Sequence, residues 1–172
     1  MPRLPAVRRA ELEDALTVEL VTVVTGARRR ALRDGDRQID TAHLLHSLVE
    51  GDPETAAVFE GSHQQARVLG YLVQRSIGYG LRWQRSVEDT GSDLPAVRGE
   101  ESAAAGWSPA AAAALAGAFE RAALRGGRRV RGLDLLAALA ADPGNRAAEV
   151  LRRAGVDRQD LALRIGELSQ QV

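Results

Sequence analysis

Apolar residues recur at intervals of three and four in two separate stretches of the chain, which is the spacing of amphipathic helices. The first helix of each stretch has its apolar stripe at Leu20, Val24, Ala27 and Ala31, and at Ala111, Leu115, Ala118 and Ala122. Thr17 and Ser108 precede these helices as N-cap residues, and Pro109 occupies the first helical position, which proline favours. Gly35 and Gly126 supply the turns that end them. No segment reads as a strand, so the predicted fold class is all-α.

The two stretches are copies of one repeat, because residues match at a constant offset of 91 positions, as from Ala27 to Ala118. The matched pairs include Arg30 with Arg121, Gly35 with Gly126, Leu44 with Leu135, Leu45 with Leu136 and Leu48 with Leu139. A shift of one residue then pairs Asp52-Pro53 with Asp142-Pro143. We therefore predict a single domain over residues 1–172 with two pseudo-symmetric four-helix repeats, at 12–85 and 107–168, and a linker at 86–106. Residues 12–61 are expected to superpose on residues 103–152.

The later helices of each repeat follow from the same comparison. A second helix is predicted in each copy, with its paired leucines, Leu44, Leu45, Leu135 and Leu136, in the core. The Asp-Pro pair is predicted to end this helix and to open a third, because proline cannot continue a helix but can begin one. A fourth helix is predicted after Ser62 in the first copy and after Asp157 in the second.

Charge and composition exclude several classes of function. The 23 basic and 23 acidic residues balance, which argues against a nucleic-acid partner, since such a partner requires a basic surface. Every basic residue is an arginine and cysteine is absent, so Schiff-base, P-loop, thiolate and disulfide chemistry are all excluded. The first residues lack the apolar core of a signal peptide, and no stretch is apolar enough to span a bilayer. We therefore expect a cytoplasmic protein with no membrane partner.

Two groups of residues have the types needed for a metal site or for a catalytic nucleophile. His43 and His46 are three positions apart on one predicted helix, but only His63 remains as a further histidine ligand, so we predict no metal and no cofactor. Ser108 and Thr17 could each serve as a nucleophile, yet neither lies in a nucleophile-elbow motif and both are explained by capping a helix. The chain is therefore predicted not to be an enzyme.

Residues 16–48 and 107–139, together with the ending at 147–156, resemble the N-terminal repeats of Clp-type chaperones such as ClpA and ClpC. The resemblance implies a pseudo-two-fold pair of four-helix repeats that receives substrates and adaptors for an AAA+ ATPase. Its expected partner is a peptide or a protein, including components of the Clp ATPase or protease. This chain has no Walker motif, so the ATPase is missing from it and the chain is either an excised domain or a free-standing protein. Its natural-looking start and end lead us to expect a free-standing actinobacterial Clp-N protein.

The chain departs from this family in one respect that bears on its ligand. Members that bind phosphoarginine carry Gly-Thr-Glu-His at the start of the second helix of each repeat, where the Glu can pair with a guanidinium. Here the two Glu positions are occupied by Ala42 and Leu133, so we expect phosphoarginine binding to be lost or much weakened. An alternative function, implied by actinobacterial members, is the sequestration of hydrophobic cyclic peptides, a form of antibiotic tolerance. A purely structural interaction domain is a third possibility.

The binding surface is predicted where the two repeats meet. Its residues would be Leu16, Thr17, Trp107 and Ser108 before the first helices, and Ala42, His43, Leu133 and Asp134 at the start of the second helices. The two helix N-termini offer N–H groups that favour an anion or a peptide carbonyl. Trp107 either packs on the helix that it precedes, as a hydrophobic staple, or presents an apolar face to a ligand.

Overall fold

The computed structural model describes residues 9–76 and 106–171. Residues 86–105 of the predicted linker, and residues 77–85 at the end of the first predicted repeat, lie outside the described residues. The described part forms α1 (Arg9–Ala15), α2 (Val18–Arg33), α3 (Thr41–Gly51), α4 (Pro53–Ala56), α5 (Gly61–Ser76), α6 (Pro109–Leu124), α7 (Gly132–Ala141), α8 (Arg146–Arg153) and α9 (Arg158–Gln170). Within these residues there is no strand longer than an isolated bridge, which confirms the all-α fold class.

The first two helices of the repeats correspond at the predicted offset. Helices α2 and α6 are both 16 residues long, and their caps are Thr17 and Ser108. The Thr17 hydroxyl accepts a hydrogen bond from the Leu20 N–H (3.3 Å), and the Ser108 hydroxyl accepts one from the Ala111 N–H (3.1 Å). Beyond these helices Gly35 and Gly126 have φ angles of 71° and 72°, which only glycine adopts without strain. The local signals in the sequence therefore fix both helices.

The third helices differ, and here one prediction is wrong. In the first repeat Asp52 caps α4 and Pro53 begins it, as expected. In the second repeat Asp142 instead accepts a hydrogen bond from the Gly144 N–H (2.9 Å), so the Asp-Pro pair forms a turn. Helix α8 begins only after Asn145, whose side chain accepts from the Ala148 N–H (2.7 Å). The common offset consequently ends with the second helices and does not extend to residues 61 and 152.

The fourth helices match the sequence in one repeat and differ slightly in the other. Asp157 caps α9 as predicted, accepting hydrogen bonds from the N–H groups of Gln159 and Asp160. Ser62 lies inside α5, which begins at Gly61. Gly61 has a φ angle of 69°, so the turn before this helix ends at that glycine.

Backbone hydrogen bonds exchanged between the repeats hold the two halves together. The residues before α2 pair with Val130, and those before α6 pair with Ile39, as two isolated parallel bridges. The four hydrogen bonds are Thr17 N–H to Val130 O (3.0 Å), Val130 N–H to Ala15 O (2.9 Å), Ser108 N–H to Ile39 O (2.9 Å) and Ile39 N–H to Gly106 O (2.6 Å). Each bond has its counterpart at the offset of the repeat, so the two halves are related by a pseudo-two-fold axis. We call these two pairings the seam.

One continuous core lies on both sides of the seam. Leu44, Leu45, Leu135 and Leu136 are fully buried, as predicted. At the start of α7, Gly132 lies so close to α4 that a Cβ atom would be 1.8 Å from the Asp52 carboxylate. The equivalent residue in the first repeat is Thr41, whose hydroxyl accepts a hydrogen bond from the Ala147 N–H (3.0 Å) in α8. The second helix of each repeat therefore begins against the third helix of the other.

Candidate functional site

The predicted binding residues lie at or beside the seam, but most of them face the interior. Leu16, Trp107, Ser108, Ala42, His43, Leu133 and Asp134 are all buried, and Thr17 is half-buried. The structure joins Leu16 and Thr17 to Val130, and Trp107 and Ser108 to Ile39. The Trp107 side chain is only 3% exposed and belongs to the hydrophobic core. Trp107 therefore acts as a packing residue, and the expectation that it presents an apolar face to a ligand is wrong.

The N-termini of α2 and α6 are already engaged within the protein. Two of their N–H groups, those of Leu20 and Ala111, donate to the capping hydroxyls of Thr17 and Ser108. Ser108 is completely buried, so an anion cannot reach its cap without separating the repeats. The start of α6 therefore has a structural role in holding the two repeats together.

The two carboxylates nearest to the missing Glu positions pair with arginines of the chain itself. Asp40 is buried at the start of α3 and contacts Arg75 and Arg146, the latter at 2.8 Å. Asp134, at the start of α7, contacts Arg125 at 2.7 Å and accepts from the Arg131 N–H at 2.9 Å. Ala42 and Leu133 beside them are each 1% exposed. Both places where a ligand guanidinium could be bound are therefore filled by internal guanidinium groups.

His43 is held at both of its ring nitrogens. Its Nδ1 accepts a hydrogen bond from the Asp40 N–H (2.9 Å), so the proton of the neutral ring is on Nε2, which donates to Asp36 Oδ2 (2.6 Å). Burial by itself raises the pKa of the Asp36 carboxyl, but the hydrogen bond and charge of His43, with the charges of Arg75 and Arg146, outweigh it and lower that pKa.

Asp34, Asp36 and His43 form a potential metal-binding group among the described residues, since one ligand atom from each lies within 4.8 Å of the others. A metal-ligating histidine normally donates a hydrogen bond from its second nitrogen. His43 accepts one there instead, because its Nδ1 faces the Asp40 N–H. The Asp34 carboxylate also accepts from the Ser76 hydroxyl (2.5 Å). The geometry suits a hydrogen-bonded connection between α3, α5 and the end of α2 better than a metal centre.

His46 lies on the same helix but in a different environment. Its side chain is buried, and its Nε2 is 3.0 Å from Glu50 Oε1, which belongs to a carboxylate that also pairs with Arg30 at 2.6 Å. Burial lowers the pKa of the His46 imidazole and the charge of Arg30 lowers it further, while Glu50 and Asp34 only partly compensate. The ring is consequently held in its neutral form.

An open groove lies in the second repeat between α6, α7 and α9. Its volume is about 380 Å³, and its lining is mainly apolar, with Leu133, Ala137 and Ile165 among the wall residues. A second groove of about 430 Å³ lies on the other side of α6, where Ala110, Ala113, Ala114, Gly117 and Ala138 provide small side chains. Both grooves are bordered by Arg121 and Leu124, and Leu124 is 89% exposed.

We call Arg121, Leu124 and the two grooves beside them the Leu124 surface. Sequence reasoning found only Leu133 and Asp134 of its residues. One signal was available, because the repeat offset pairs Leu124 with Arg33, so an apolar residue stands where the other copy has a charge. An unmatched leucine outside the apolar stripe of α6 is a sign of an exposed contact residue.

Comparisons with known proteins identify the fold. No protein-family model matches the chain, and none of the curated proteins compared matches it. Solved structures do match, with 14% identity in each of the following cases. The N-terminal domain of Hsp104 from Candida albicans has a TM-score of 0.66, covering 89% of this chain and 90% of that one. The N-terminal domain of the chaperone ClpD from Arabidopsis thaliana has a TM-score of 0.59, covering 89% and 93%. A structure from a malarial protein secretion system has a TM-score of 0.65, covering 92% and 97%.

The two repeats, their exchanged backbone bonds and their shared core define an all-helical tandem-repeat domain. Matches over about nine-tenths of the chain show that this domain has the fold of a Clp N-terminal domain, as the sequence resemblance implied. None of the helices in residues 9–76 and 106–171 is both long enough and apolar enough to cross a membrane.

Proposed function

We propose that this chain is a non-enzymatic module that binds a peptide or protein segment, and that the Leu124 surface is its binding site. The observation that carries the proposal is the position of Leu124, a leucine that is 89% exposed between two grooves of about 380 and 430 Å³. An exposed apolar residue beside concave apolar walls is typical of an anchor for a partner side chain. The partner belongs to the same class as the substrates and adaptors that reach Clp ATPases.

The binding surface predicted from the sequence included Leu133 and Asp134. These two residues line the groove between α6, α7 and α9 and remain part of the proposed site. The other six residues line neither groove and lie in the seam or at the start of α3. With the Asp40 and Asp134 carboxylates paired to internal arginines, we expect phosphoarginine to bind weakly or not at all.

The alanine-lined groove favours a second candidate, the sequestration of a compact hydrophobic cyclic peptide. Part of its wall consists of methyl groups, as at Ala110, Ala113 and Ala138, on which an apolar ring could pack with few polar groups to desolvate. The rest of the lining includes the polar residues Glu120 and Asp142. A linear segment would contact both sides of Leu124, whereas a cyclic peptide would depend chiefly on the groove between α6 and α7.

A binding titration tests the proposal. Fluorescein-labelled peptides of 12 residues with varied composition, and a labelled hydrophobic cyclic peptide, would be titrated with the purified protein and followed by anisotropy. Leu124→Gln should weaken linear-peptide binding about fivefold or more, since anchor residues contribute over ~1 kcal/mol. Leu32→Gln is the matched control, because Leu32 is a 56% exposed leucine near the end of α2 in the other repeat. Equal effects of both variants, or no binding by any peptide, would refute the proposed site.

A further inference from the structure

In the first repeat, polar contacts fasten the end of α5 to its neighbours. There, the end of α5 is attached to α2 and α3, because Ser76 donates to Asp34 (2.5 Å) and Arg75 pairs with Asp40. Near the end of α9 in the second repeat, Ser169 donates instead to the Ile165 carbonyl of its own helix (2.7 Å). Ser169 thus makes no bridge to another helix among the described residues, and the groove of about 380 Å³ lies beside it.

Charges along this open groove are not balanced. Arg125 is neutralised, because Asp134 accepts from its guanidinium at 2.7 Å. Arg121 lies one helical turn before Leu124 on α6 and is exposed, with no ion pair to any of the residues that the structure describes. The groove lining thus contains two arginines and one aspartate, which leaves one positive charge beside an apolar wall. Glu120 and Asp142 belong to the other groove, on the far side of α6.

We propose that this groove selects peptide segments in which an acidic side chain stands next to an apolar one. The apolar side chain would pack on Leu124, Ala137 and Ile165 while the carboxylate pairs with Arg121. Both contacts come from the same exposed edge of α6, at positions i and i+3, so a segment running along the groove meets them together. The ligand group is an Asp or Glu side chain within the segment. This inference rests on the proposed function and gives its ligand a chemical class.

The experiment uses the full chain and two labelled peptides with acetylated and amidated ends. The first is a 12-residue peptide in which Glu residues stand next to Leu residues, and the second replaces each Glu by Gln. Each is titrated against the wild-type protein, Arg121→Gln and Leu124→Gln. Arg29→Gln is the matched charge control, since Arg29 is an exposed arginine on α2 of the other repeat.

The affinities of each protein variant for the two peptides form a thermodynamic cycle, with the following expected values. The Glu peptide should bind the wild type about threefold more tightly than the Gln peptide, as befits an exposed ion pair, and added salt should reduce this preference. Arg121→Gln should abolish the preference without changing the affinity of the Gln peptide, and Arg29→Gln should leave both affinities unchanged. Leu124→Gln should weaken both peptides.

Other results would overturn the inference in distinguishable ways. If both peptides bind equally and Leu124→Gln weakens both, the proposed function stands but the acidic preference is wrong. If Arg121→Gln and Arg29→Gln have the same effect, the preference is due to net charge and does not come from this groove. If neither peptide binds, the proposed function and the inference both fail. If Leu124→Gln converts a dimer into a monomer in light-scattering measurements, a second copy of the chain occupies the groove instead.

Discussion

At the residue scale, His43 and His46 show that the contacts of a side chain determine its role. They lie one turn apart on α3, and both are buried. His43 is hydrogen-bonded at both nitrogens and connects the start of its helix to Asp36. The His46 ring is hydrogen-bonded to Glu50, and burial together with the charge of Arg30 lowers its pKa. The sequence shows two histidines at helical spacing, and only their contacts show that His43 caps its helix and that the pKa of His46 is lowered.

We predict that His46 makes the protein less stable in mild acid. Because its pKa is lowered in the folded protein, the unfolded chain binds the proton more tightly. The contribution of this group is therefore fully present above its ordinary pKa of 6.5 and is lost as the pH falls below that value towards the folded pKa. The loss is at most about 1.4 kcal/mol per pH unit. Urea unfolding at pH 7.5 and 5.5 should show this decrease, and His46→Gln should remove it.

The control is His63→Gln, because His63 is an exposed histidine on α5. This variant should keep the decrease between pH 7.5 and 5.5. Asp36, whose lowered pKa makes its contribution disappear only below about 3.8, does not titrate in this range. An unchanged pH dependence in His46→Gln would show that another group is responsible.

At the scale of the helices, the N-cap residues determine where α2 and α6 begin. Thr17 and Ser108 have the same role at equivalent positions, yet their surroundings differ. Ser108 is completely buried and lies 3.1 Å from the N–H it caps, whereas Thr17 is half-buried and lies 3.3 Å away. Water can replace a lost cap at Thr17 but not at Ser108, where the freed N–H of Ala111 would remain buried.

We therefore predict that Ser108→Ala destabilises the protein more than Thr17→Ala. Loss of an N-cap costs about 1 kcal/mol on average, and the buried N–H left by Ser108→Ala should bring its cost to about 2 kcal/mol. The midpoints of urea unfolding of the two variants, measured beside the wild type, give the comparison. Equal costs would mean that the cap at Ser108 is hydrated or that its N–H finds another acceptor.

At the scale of the whole molecule, two ion pairs join the repeats at related places but with reversed charge. Asp40 of the first repeat pairs with Arg146 of the second, while Arg131 of the second pairs with Glu54 of the first. Asp40 and Arg131 occupy equivalent positions before α3 and α7. Each half thus carries charges that suit the other half and not a second copy of itself. Reversed pairs of this kind favour the joining of unlike repeats, because like charges would meet in any other pairing.

The two ion pairs should differ in their effect on stability. Asp40 is 1% exposed and contacts both Arg75 and Arg146, so Asp40→Asn leaves buried guanidinium groups without their carboxylate. The expected cost is about 3 kcal/mol. Glu54→Gln breaks the related pair, but the Glu54 side chain is 39% exposed, so its expected cost is below about 1 kcal/mol. Chemical unfolding of both variants measures the difference, and similar costs would contradict the larger stabilising role expected of Asp40.

The sequence by itself determined the first helix of each repeat that follows Thr17 and Ser108, the second helix of each repeat, the repeat itself and the buried leucines. Those features depend on local signals: the caps Thr17 and Ser108, the turns at Gly35 and Gly126, and a constant offset of matched residues. Local signals act within one or two helical turns, so they can be read along the chain without knowing what packs against it. The identification of the fold followed from the same features.

Only the tertiary structure decided which of the singled-out residues can reach a ligand. Trp107 stands at the start of a helix in the sequence, but its contact with the opposite repeat buries it. Asp142-Pro143 has the same letters as Asp52-Pro53, yet it forms a turn because Asn145 caps the next helix, with its amide donating to the Leu139 carbonyl (2.9 Å). The groove beside Leu124 is formed where α6, α7 and α9 meet. Burial and groove shape depend on how distant segments meet, and the order of residues in one segment does not contain that information.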